Sequence, residues 1–195
     1  MPTLAARLRE PALLGRATPV LGPPPIAPAG TPTEAAVLVP VVLHPEPTIL
    51  LTLRTPHLTA HAGQVSLPGG RIEPHDASPE QAALRESEEE IGLDPGSVEV
   101  VGRLPALLTG TGYRITPVVG LVTPPARTRP DPREVADLFE LPVAVLTDPD
   151  GPREEDGARF GSRRARVWVV PHDRHLIWGA TAAVLVSFGR LLREV

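Results

Sequence analysis

The stretch GGRIEPHDASPEQAALRESEEEIGL, residues 69–93, contains the clearest structural signals in this 195-residue chain. Ser78 is a typical N-cap residue, Pro79 suits the first helical position and Gln81 completes a capping box. Gly92 stands where a helix is expected to end in a left-handed residue. The stretch therefore predicts a glycine turn, then a loop, then a helix that is capped at both ends.

The predicted helix has one face that packs and one face of carboxylates. At 100° per residue, Glu86, Glu89 and Glu90 share an arc about 120° away from the packing face. The packing face contains Ala83, Leu84, Ser87 and Ile91. Each close pair of glutamates repels by about 0.2 to 0.5 kcal/mol, and the helix dipole disfavours each anion there by roughly 0.3 to 1 kcal/mol. Local rules that are broken together in one place indicate function.

The acidic face has two interpretations. Residues 71–100 carry nine acidic residues and two arginines, a net charge of −7, whereas the rest of the chain carries +3. Most acidic runs are solvated surfaces, and Glu88 projects away from the cluster as such a surface requires. For the other three glutamates, the preceding Gly69-Gly70 favours a site for a hard cation, because glycine lets backbone atoms approach a ligand closely. Arg85 either pairs with Glu89 as a surface salt bridge or orients a catalytic carboxylate.

Composition limits the classes of function. Length, 42% hydrophobic residues and 22% charged residues predict a single soluble domain over residues 1–195. The absence of cysteine excludes disulfides, thiolate zinc sites and a cysteine nucleophile. The net charge of −4 argues against a nucleic-acid partner. With neither a signal peptide nor an apolar run of membrane length, the chain is predicted to be cytoplasmic, with no membrane partner.

The remaining sequence alternates between predicted strands and helices. Strands are expected at 35–43, 48–55, 64–67, 98–107, 115–122 and 164–170. Helices are expected at 3–14, 78–91 and 176–193. Six prolines within residues 17–33 predict an extended arm, so that residues 1–34 form an N-terminal helix and a proline-rich arm. The segments 123–132 and 148–162 are predicted to be irregular substrate loops. This order indicates an α/β sandwich around a mixed sheet.

Residues 70–93 resemble the Nudix box: Gly, five of any residue, Glu, seven of any, then Arg-Glu-aliphatic-any-Glu-Glu-any-Gly-aliphatic. Gly70 opens the box and residues 85–93 close it. Asp76 replaces the first Glu, eight residues instead of seven separate it from Arg85, and Ser87 replaces an aliphatic residue. The extra residue precedes the helix cap, so the carboxylates keep their relative positions. The resemblance implies a Nudix-type α/β/α sandwich around a mixed sheet.

The preceding tract LLTLRTPHLTAHAGQVSLPGG, residues 50–70, resembles an additional signature of the coenzyme A pyrophosphatase branch of Nudix hydrolases. Eight positions match the signature: Leu50, Leu51, Thr52, Gly63, Val65, Pro68, Gly69 and Gly70. Three differ, with Thr55 in place of Ser, Thr59 in place of Arg and Leu67 in place of Phe. Residues 176–181 are similar to the closing helix of that branch, and the resemblance covers most of residues 35–190.

The resemblance implies an activity and roles for several residues. The activity is metal-dependent hydrolysis of the diphosphate of coenzyme A or its derivatives, to 4'-phosphopantetheine and adenosine 3',5'-bisphosphate. Glu86 and Glu90 are expected to be the main ligands of Mg²⁺ or Mn²⁺, with Glu89 and the Gly70 carbonyl completing the site. Either Glu89 or Glu134 is the candidate general base, although Glu134 equally suits a charge at a helix start.

Other residues are assigned to the substrate. Because the signature arginine is lost at position 59, another arginine is expected to contact phosphate. The residues expected to contact the substrate are Arg54, Thr59, Gly69 and Arg71. Four arginines are candidates for the 3'-phosphate, but a solvated hairpin face is the favoured interpretation of Arg159, Arg163, Arg164 and Arg166. For Trp178, a core position is favoured over stacking on adenine. His57 and His61 are candidates for a phosphate contact and do not form a convincing zinc pair.

Two rival functions stay open at this point. The first is a Nudix pyrophosphatase that acts on another nucleoside diphosphate derivative such as ADP-ribose, an alternative that Thr59 favours. The second is a non-catalytic nucleotide-sensing module, which is expected to lack one or more box carboxylates, whereas none is lost in the helix here. The partner in each case is a small molecule, and a homodimer is among the open oligomeric states.

Overall fold

The computed structural model describes residues 3–18, 20, 30–58, 61–160 and 163–193. Its strands are β1 (Thr33–Val42), β2 (Thr48–Arg54), β3 (Val65–Ser66), β4 (Gly69–Arg71), β5 (Val98–Arg103), β6 (Leu107–Leu108), β7 (Tyr113–Val122), β8 (Val135–Pro142), β9 (Arg153–Phe160), β10 (Arg163–Val170) and β11 (Ile177–Trp178). Its helices are α1 (Leu4–Leu8), α2 (Pro11–Leu14), α3 (Pro79–Ile91), α4 (Val143–Thr147) and α5 (Gly179–Arg193). A short 3-10 turn, Pro95–Ser97, precedes β5.

The main sheet is mixed, because one parallel pair lies among antiparallel ones. β1 and β7 run parallel over their full lengths, while β5 and β6 pair with β7 in the antiparallel sense. On the other side of β1, β2 is antiparallel and is flanked by β8 along its length. Strands β9, β10 and β11 form a separate antiparallel sheet.

The centre of the main sheet opens where β1 and β2 diverge. These two strands are in register at Val41 with Ile49 and at Val42 with Thr48. In the opening, β3 pairs with β2 and β4 pairs with β1. The sequence predicts a turn at Gly69-Gly70, but both residues belong to β4. A Cβ on Gly69 would lie 2.4 Å from the carbonyl oxygen of Ala36, so only glycine lets the two backbones approach this closely.

Alternate residues of β1 face two separate cores, as the two-residue period of a strand requires. Ala36 and Leu38 belong to the cluster that contains the buried residues of α3. Val39 and Val41 belong to the cluster that contains α5 and the N-terminal residues. Helices therefore cover both faces of the sheet, and the predicted α/β fold with a mixed sheet is confirmed.

Helix α5 is apolar because it is buried, with ten of its residues inside the core. Its middle is closely packed, since a Cβ on Gly189 would lie 2.5 Å from the carbonyl oxygen of Leu146. None of the helices in the described segments is both long and apolar enough to cross a membrane.

Several predicted boundaries are wrong for identifiable reasons. The helix predicted over 3–14 is two short helices, because Pro11 begins a second one after a break at residues 9–10. The strand predicted over 98–107 divides into β5 and β6. The closing helix begins at Gly179 and not at Leu176, because Ile177 and Trp178 pair with β10 instead. Most of the proline-rich arm, residues 21–29, lies outside the described residues.

Besides β4 and β11, two longer strands were not predicted. The segment 148–162 was expected to be a loop, but Arg153–Phe160 forms β9, in which Glu154 pairs with Arg166 of the neighbouring strand. Strand β8 was also not predicted. It carries charged residues between its buried ones, and buried and exposed positions alternate in only part of the strand. The segment 123–132 is irregular, as predicted.

We expect Gly92→Ala to lower the free energy of unfolding by about 1 to 2 kcal/mol, as measured by urea denaturation. Gly92 has φ +64°, and a Cβ there would lie 3.0 Å from the backbone nitrogen and oxygen of Arg129. The matched control is Gly110→Ala, because a Cβ at that position meets no atom within 4 Å. Equal stability of the two variants would contradict the assigned cap.

Candidate active site

Helix α3 begins and ends as its sequence predicts. The Ser78 hydroxyl accepts a hydrogen bond from the Gln81 N–H at 3.3 Å, and Pro79 is the first helical residue. The side-chain oxygen of Gln81 reaches back to the N–H of Ala77 at 2.6 Å, one residue further than in an ideal capping box. Gly92 ends the helix in the left-handed conformation. These caps determine where the glutamate face of α3 lies along the sheet.

Glu90 is a buried carboxylate with two partners and is only 5% exposed. Its Oε2 accepts the backbone N–H of Gly69 at 3.1 Å, and its Oε1 lies 3.2 Å from Nη1 of Arg54. Burial raises the pKa of Glu90 to about 7, and the charges of Glu134 and Glu86 act in the same direction. The helix thus holds an acid in a place where its charged form is disfavoured.

Glu86 lies against the backbone of the second glycine. A Cβ on Gly70 would be 2.5 Å from Oε2 of Glu86, so the absence of a side chain at this position makes room for the carboxylate. Burial raises the pKa of Glu86, while Nη1 of Arg85, which donates to Oε1 at 2.8 Å, opposes this shift. The pair Gly69-Gly70 therefore receives one carboxylate at each residue.

Arg85 joins the loop before α3 to the glutamate face. Its Nε and Nη2 donate to the two carboxylate oxygens of Asp76 at 3.1 and 2.9 Å. Its Nη1 donates to Glu86 and, at 3.2 Å, to Glu89, which is largely exposed. The hydrogen bonds from Arg85 lower the pKa of Asp76 to about 2. Asp76 therefore holds the guanidinium in one orientation, and the guanidinium in turn holds the two glutamates.

The C-terminal end of α3 positions the loop that carries Glu134 near Glu86 and Glu90. The last carbonyl groups of the helix accept hydrogen bonds from the loop, from Asp131 N–H to Glu90 at 2.9 Å and from Arg129 N–H to Ile91 at 2.7 Å. The carbonyl of Glu134 accepts the N–H of Thr55 at 2.9 Å. The charge of Glu134 contributes to the raised pKa of both Glu86 and Glu90. A strand follows Glu134, so its interpretation as a charge at a helix start is wrong.

Thr55 has a structural role that was not predicted from the sequence. Its hydroxyl donates to the carbonyl of Arg133 at 3.0 Å, and its N–H bonds to Glu134. The signal was present in the signature itself, because Thr55 replaces a serine and so keeps the hydroxyl group. The shared hydroxyl indicates a hydrogen bond that fixes the loop of Glu134.

The predicted substrate residues divide into two groups. Arg54 and Gly69 both contact Glu90 and so belong to the carboxylate cluster. Arg71 does not, because its Nη2 bonds to the hydroxyl of Tyr113 at 3.1 Å and its guanidinium lies 5.8 Å from that ring. Thr59 lies outside the described residues.

None of the weaker candidates whose side chains the structure describes forms a hydrogen bond to the glutamates of α3. Arg166 pairs with Glu154 at 3.1 Å, while the side chains of Arg159, Arg163 and Arg164 lie outside the described part of the chain. Trp178 is half-buried on strand β11, not within an apolar helix. His61 bonds to the side chain of Gln64 at 2.9 Å, and His57 is exposed.

The donor set suits a hard divalent cation by its chemistry. Carboxylate and main-chain carbonyl oxygens are the ligands that Mg²⁺ and Mn²⁺ prefer, and the Glu86 carboxylate lies directly against Gly70. Within the described ranges, no three acidic or imidazole side chains already converge as the ligands of one ion. Arg54 and Arg85 instead hold Glu90 and Glu86 in ion pairs. Glu86, Glu89, Glu90 and the Gly70 carbonyl are the groups that would hold a cation.

Comparison with known proteins identifies this arrangement. The model of the NUDIX domain matches residues 32–177. The chain belongs to the Nudix family. It is 43% identical over 152 residues to NudL, an uncharacterised Nudix hydrolase of Escherichia coli K12, and the match covers 78% of this chain and 79% of NudL.

Solved structures agree with the family assignment. RenU, a Nudix hydrolase of Mycobacterium smegmatis, is 28% identical with a TM-score of 0.50, over 59% of this chain and 73% of RenU. A MutT protein from Methanosarcina mazei is 18% identical with a TM-score of 0.52, over 84% of this chain and 96% of that protein, and shares the fold. Nudix hydrolases act on small nucleotide derivatives and use divalent ions such as Mg²⁺ or Mn²⁺. This Nudix hydrolase has the residues for that chemistry on α3 and β4.

The pKa of Glu90 predicts how the metal-free protein responds to pH. Because this pKa is raised from 4.5 to about 7, the folded protein binds more protons than the unfolded chain between these values. The free energy of unfolding therefore falls as pH rises through this window, by on the order of 3 kcal/mol. In urea denaturation with a chelator, we expect Glu90→Gln to remove this part of the pH dependence. If the free energy of unfolding changed with pH in the same way for the wild type and for Glu90→Gln, the raised pKa assigned to Glu90 would be contradicted.

Proposed function

We propose that this Nudix hydrolase cleaves the diphosphate of coenzyme A or its derivatives, giving 4'-phosphopantetheine and adenosine 3',5'-bisphosphate. The observation that carries the proposal is the placement of residues 50–70, the tract that resembles the coenzyme A pyrophosphatase signature. This tract forms β2, β3 and β4, and it brings Arg54 and Gly69 onto the same buried carboxylate. The signature and the box therefore meet at Glu90.

The residues have roles that follow from their contacts. Glu86 and Glu90 are one helical turn apart and reach the two glycines, so they are proposed as the main metal ligands, with Glu89 and the Gly70 carbonyl. These residues would hold a divalent ion, which would neutralise diphosphate charge and lower the pKa of a water bound to it. Arg85 positions Glu86 and Glu89, and Asp76 positions Arg85.

Two carboxylates are proposed as alternatives for the general base. Water must lose a proton as it attacks phosphorus and as the bond between phosphorus and the bridging oxygen breaks. Among the described residues, the exposed Glu89 carboxylate accepts one hydrogen bond, from Nη1 of Arg85. Glu134 is partly buried, lies within the electrostatic field of the cluster and has a fixed backbone. To identify the base, kcat and its pH profile are measured for Glu89→Gln and Glu134→Gln. The variant that loses more kcat and has an altered pH profile lacks the base.

We expect Glu86→Gln and Glu90→Gln each to lower metal-dependent turnover by about a hundredfold or more. Each change removes an anionic oxygen donor from the proposed metal site while it keeps the size of the side chain. The matched control is Glu88→Gln, because Glu88 is exposed on the same helix and faces away from the cluster. Circular dichroism checks that all three variants are folded. If folded Glu86→Gln and Glu90→Gln turned over substrate at the wild-type rate, their assignment as metal ligands would be contradicted.

The substrate proposal is tested by competition between substrates. With Mg²⁺ or Mn²⁺, we expect kcat/KM for coenzyme A to exceed the values for ADP-ribose and for dinucleotides by about tenfold or more. The two products are separated by chromatography and identified by mass. Faster cleavage of ADP-ribose would establish the rival pyrophosphatase function. Binding of nucleotide with no turnover of any substrate would establish the sensing module.

A further inference from the structure

Arg54 has unused hydrogen-bonding capacity beside the carboxylate cluster. A guanidinium carries five N–H donors, and among the described residues this side chain makes one hydrogen bond, from Nη1 to Glu90 at 3.2 Å. Its Nε is also buried and has no hydrogen-bond acceptor among the described residues. Arg54 thus binds Glu90 through a single hydrogen bond, whereas Arg85 binds Asp76 through two hydrogen bonds.

The backbone around Arg54 is fixed and aims the side chain. The strand pairing between β2 and β8 shifts by one residue between Leu53 and Arg54, which is the irregularity of a β-bulge. Bulges re-aim side chains next to active sites. The N–H of Arg54 bonds to the carbonyl of Gln64 at 3.0 Å, and that of Thr55 bonds to Glu134. A change of partner at the guanidinium therefore requires only side-chain rotation.

A phosphate satisfies this guanidinium better than Glu90 does. Two parallel N–H groups of arginine match two phosphate oxygens, and such bidentate pairs are stronger than a single contact. If Arg54 leaves Glu90, however, the buried carboxylate keeps one hydrogen-bond partner within the described part of the chain, the N–H of Gly69. An unpaired buried charge is strongly disfavoured, so Glu90 requires another cation when Arg54 departs.

We propose that Arg54 is the resident counterion of Glu90 in the metal-free enzyme, and that it exchanges Glu90 for a substrate phosphate when a divalent cation is bound at Glu90. The exchange makes Arg54 a competitor of the metal in the free protein and a partner of the phosphate in the complex. Metal and diphosphate then reinforce each other's binding, as reciprocal coupling requires. The inference rests on the proposed diphosphate chemistry and not on coenzyme A itself.

The first test measures Mn²⁺ binding to the substrate-free protein by electron paramagnetic resonance at pH 8. We expect Arg54→Gln to bind Mn²⁺ about fivefold more tightly than the wild type, because the competing cation is gone. Arg71→Gln is the matched control, since Arg71 is a nearby arginine that bonds to Tyr113 and not to the cluster. Unchanged or weaker Mn²⁺ binding by folded Arg54→Gln, or an equal gain in Arg71→Gln, would overturn the proposal.

The second test does not depend on the folding of an Arg54 variant. It measures binding of α,β-methylene-ADP, a diphosphate that cannot be cleaved at its bridge, by calorimetry with a chelator present. We expect Glu90→Gln to bind this probe about fivefold more tightly than the wild type, because Arg54 has lost its counterion. Glu89→Gln removes an equal charge that Arg85 contacts instead, so it controls for general repulsion. No gain, or the same gain in both variants, would overturn the exchange.

The two proposals fail separately. Positive results in both binding tests, without turnover of coenzyme A, would remove the substrate proposal and leave the exchange standing. Turnover of coenzyme A with negative results in both binding tests would remove the exchange alone.

Discussion

The structure of this site depends on the burial of one anion, the Glu90 carboxylate, between a glycine N–H and an arginine. A charge in that position is disfavoured by burial and by the nearby charges of Glu86 and Glu134, and the Gly69 N–H and Arg54 offset part of this cost. The glycine pair brings backbone donors within reach, and the divergence of β1 and β2 leaves space for β4 at the centre of the sheet. The caps of α3 fix where the helix begins and ends along the sheet, and so they place Glu90 beside Gly69. The frustration that the sequence shows on α3 is thus the cost of clustering acids beside Gly69 and Gly70.

The same helix end that destabilises the acids also assembles the rest of the site. The last carbonyl groups of α3 lack intrahelical partners, and the loop of Arg129 and Asp131 supplies N–H donors to them. Because Gly92 has no side chain, this loop lies directly on the helix end. Glu134 follows three residues later and joins the cluster. A requirement of helix termination therefore brings a distant acid to the glutamates of α3.

The predictable parts of this protein are those that local chemistry determines. The ends of α3 follow from Ser78, Pro79 and Gly92, whose preferences act within one turn. The ion pair between Arg54 and Glu90 joins residues 36 positions apart, and no local pattern contains it. Strand β9 was missed because its charged residues, such as Glu154, pair with arginine on β10. That pairing compensates for a pattern that, in isolation, is typical of a loop. Thr55 lay within the signature, but its hydrogen bond to the Glu134 loop depends on the sheet.

The position of Asp76 shows how the loop before α3 absorbs a departure from the family pattern. The box has a glutamate there, and this chain has a side chain one methylene shorter together with one additional loop residue. The additional residue extends the reach of the backbone, and Asp76 still receives both N–H groups of Arg85. At this position the chain therefore has a two-point contact with the arginine in spite of the changed spacing. Since Arg85 then contacts Glu86 and Glu89, a change outside the helix leaves the carboxylate face in place.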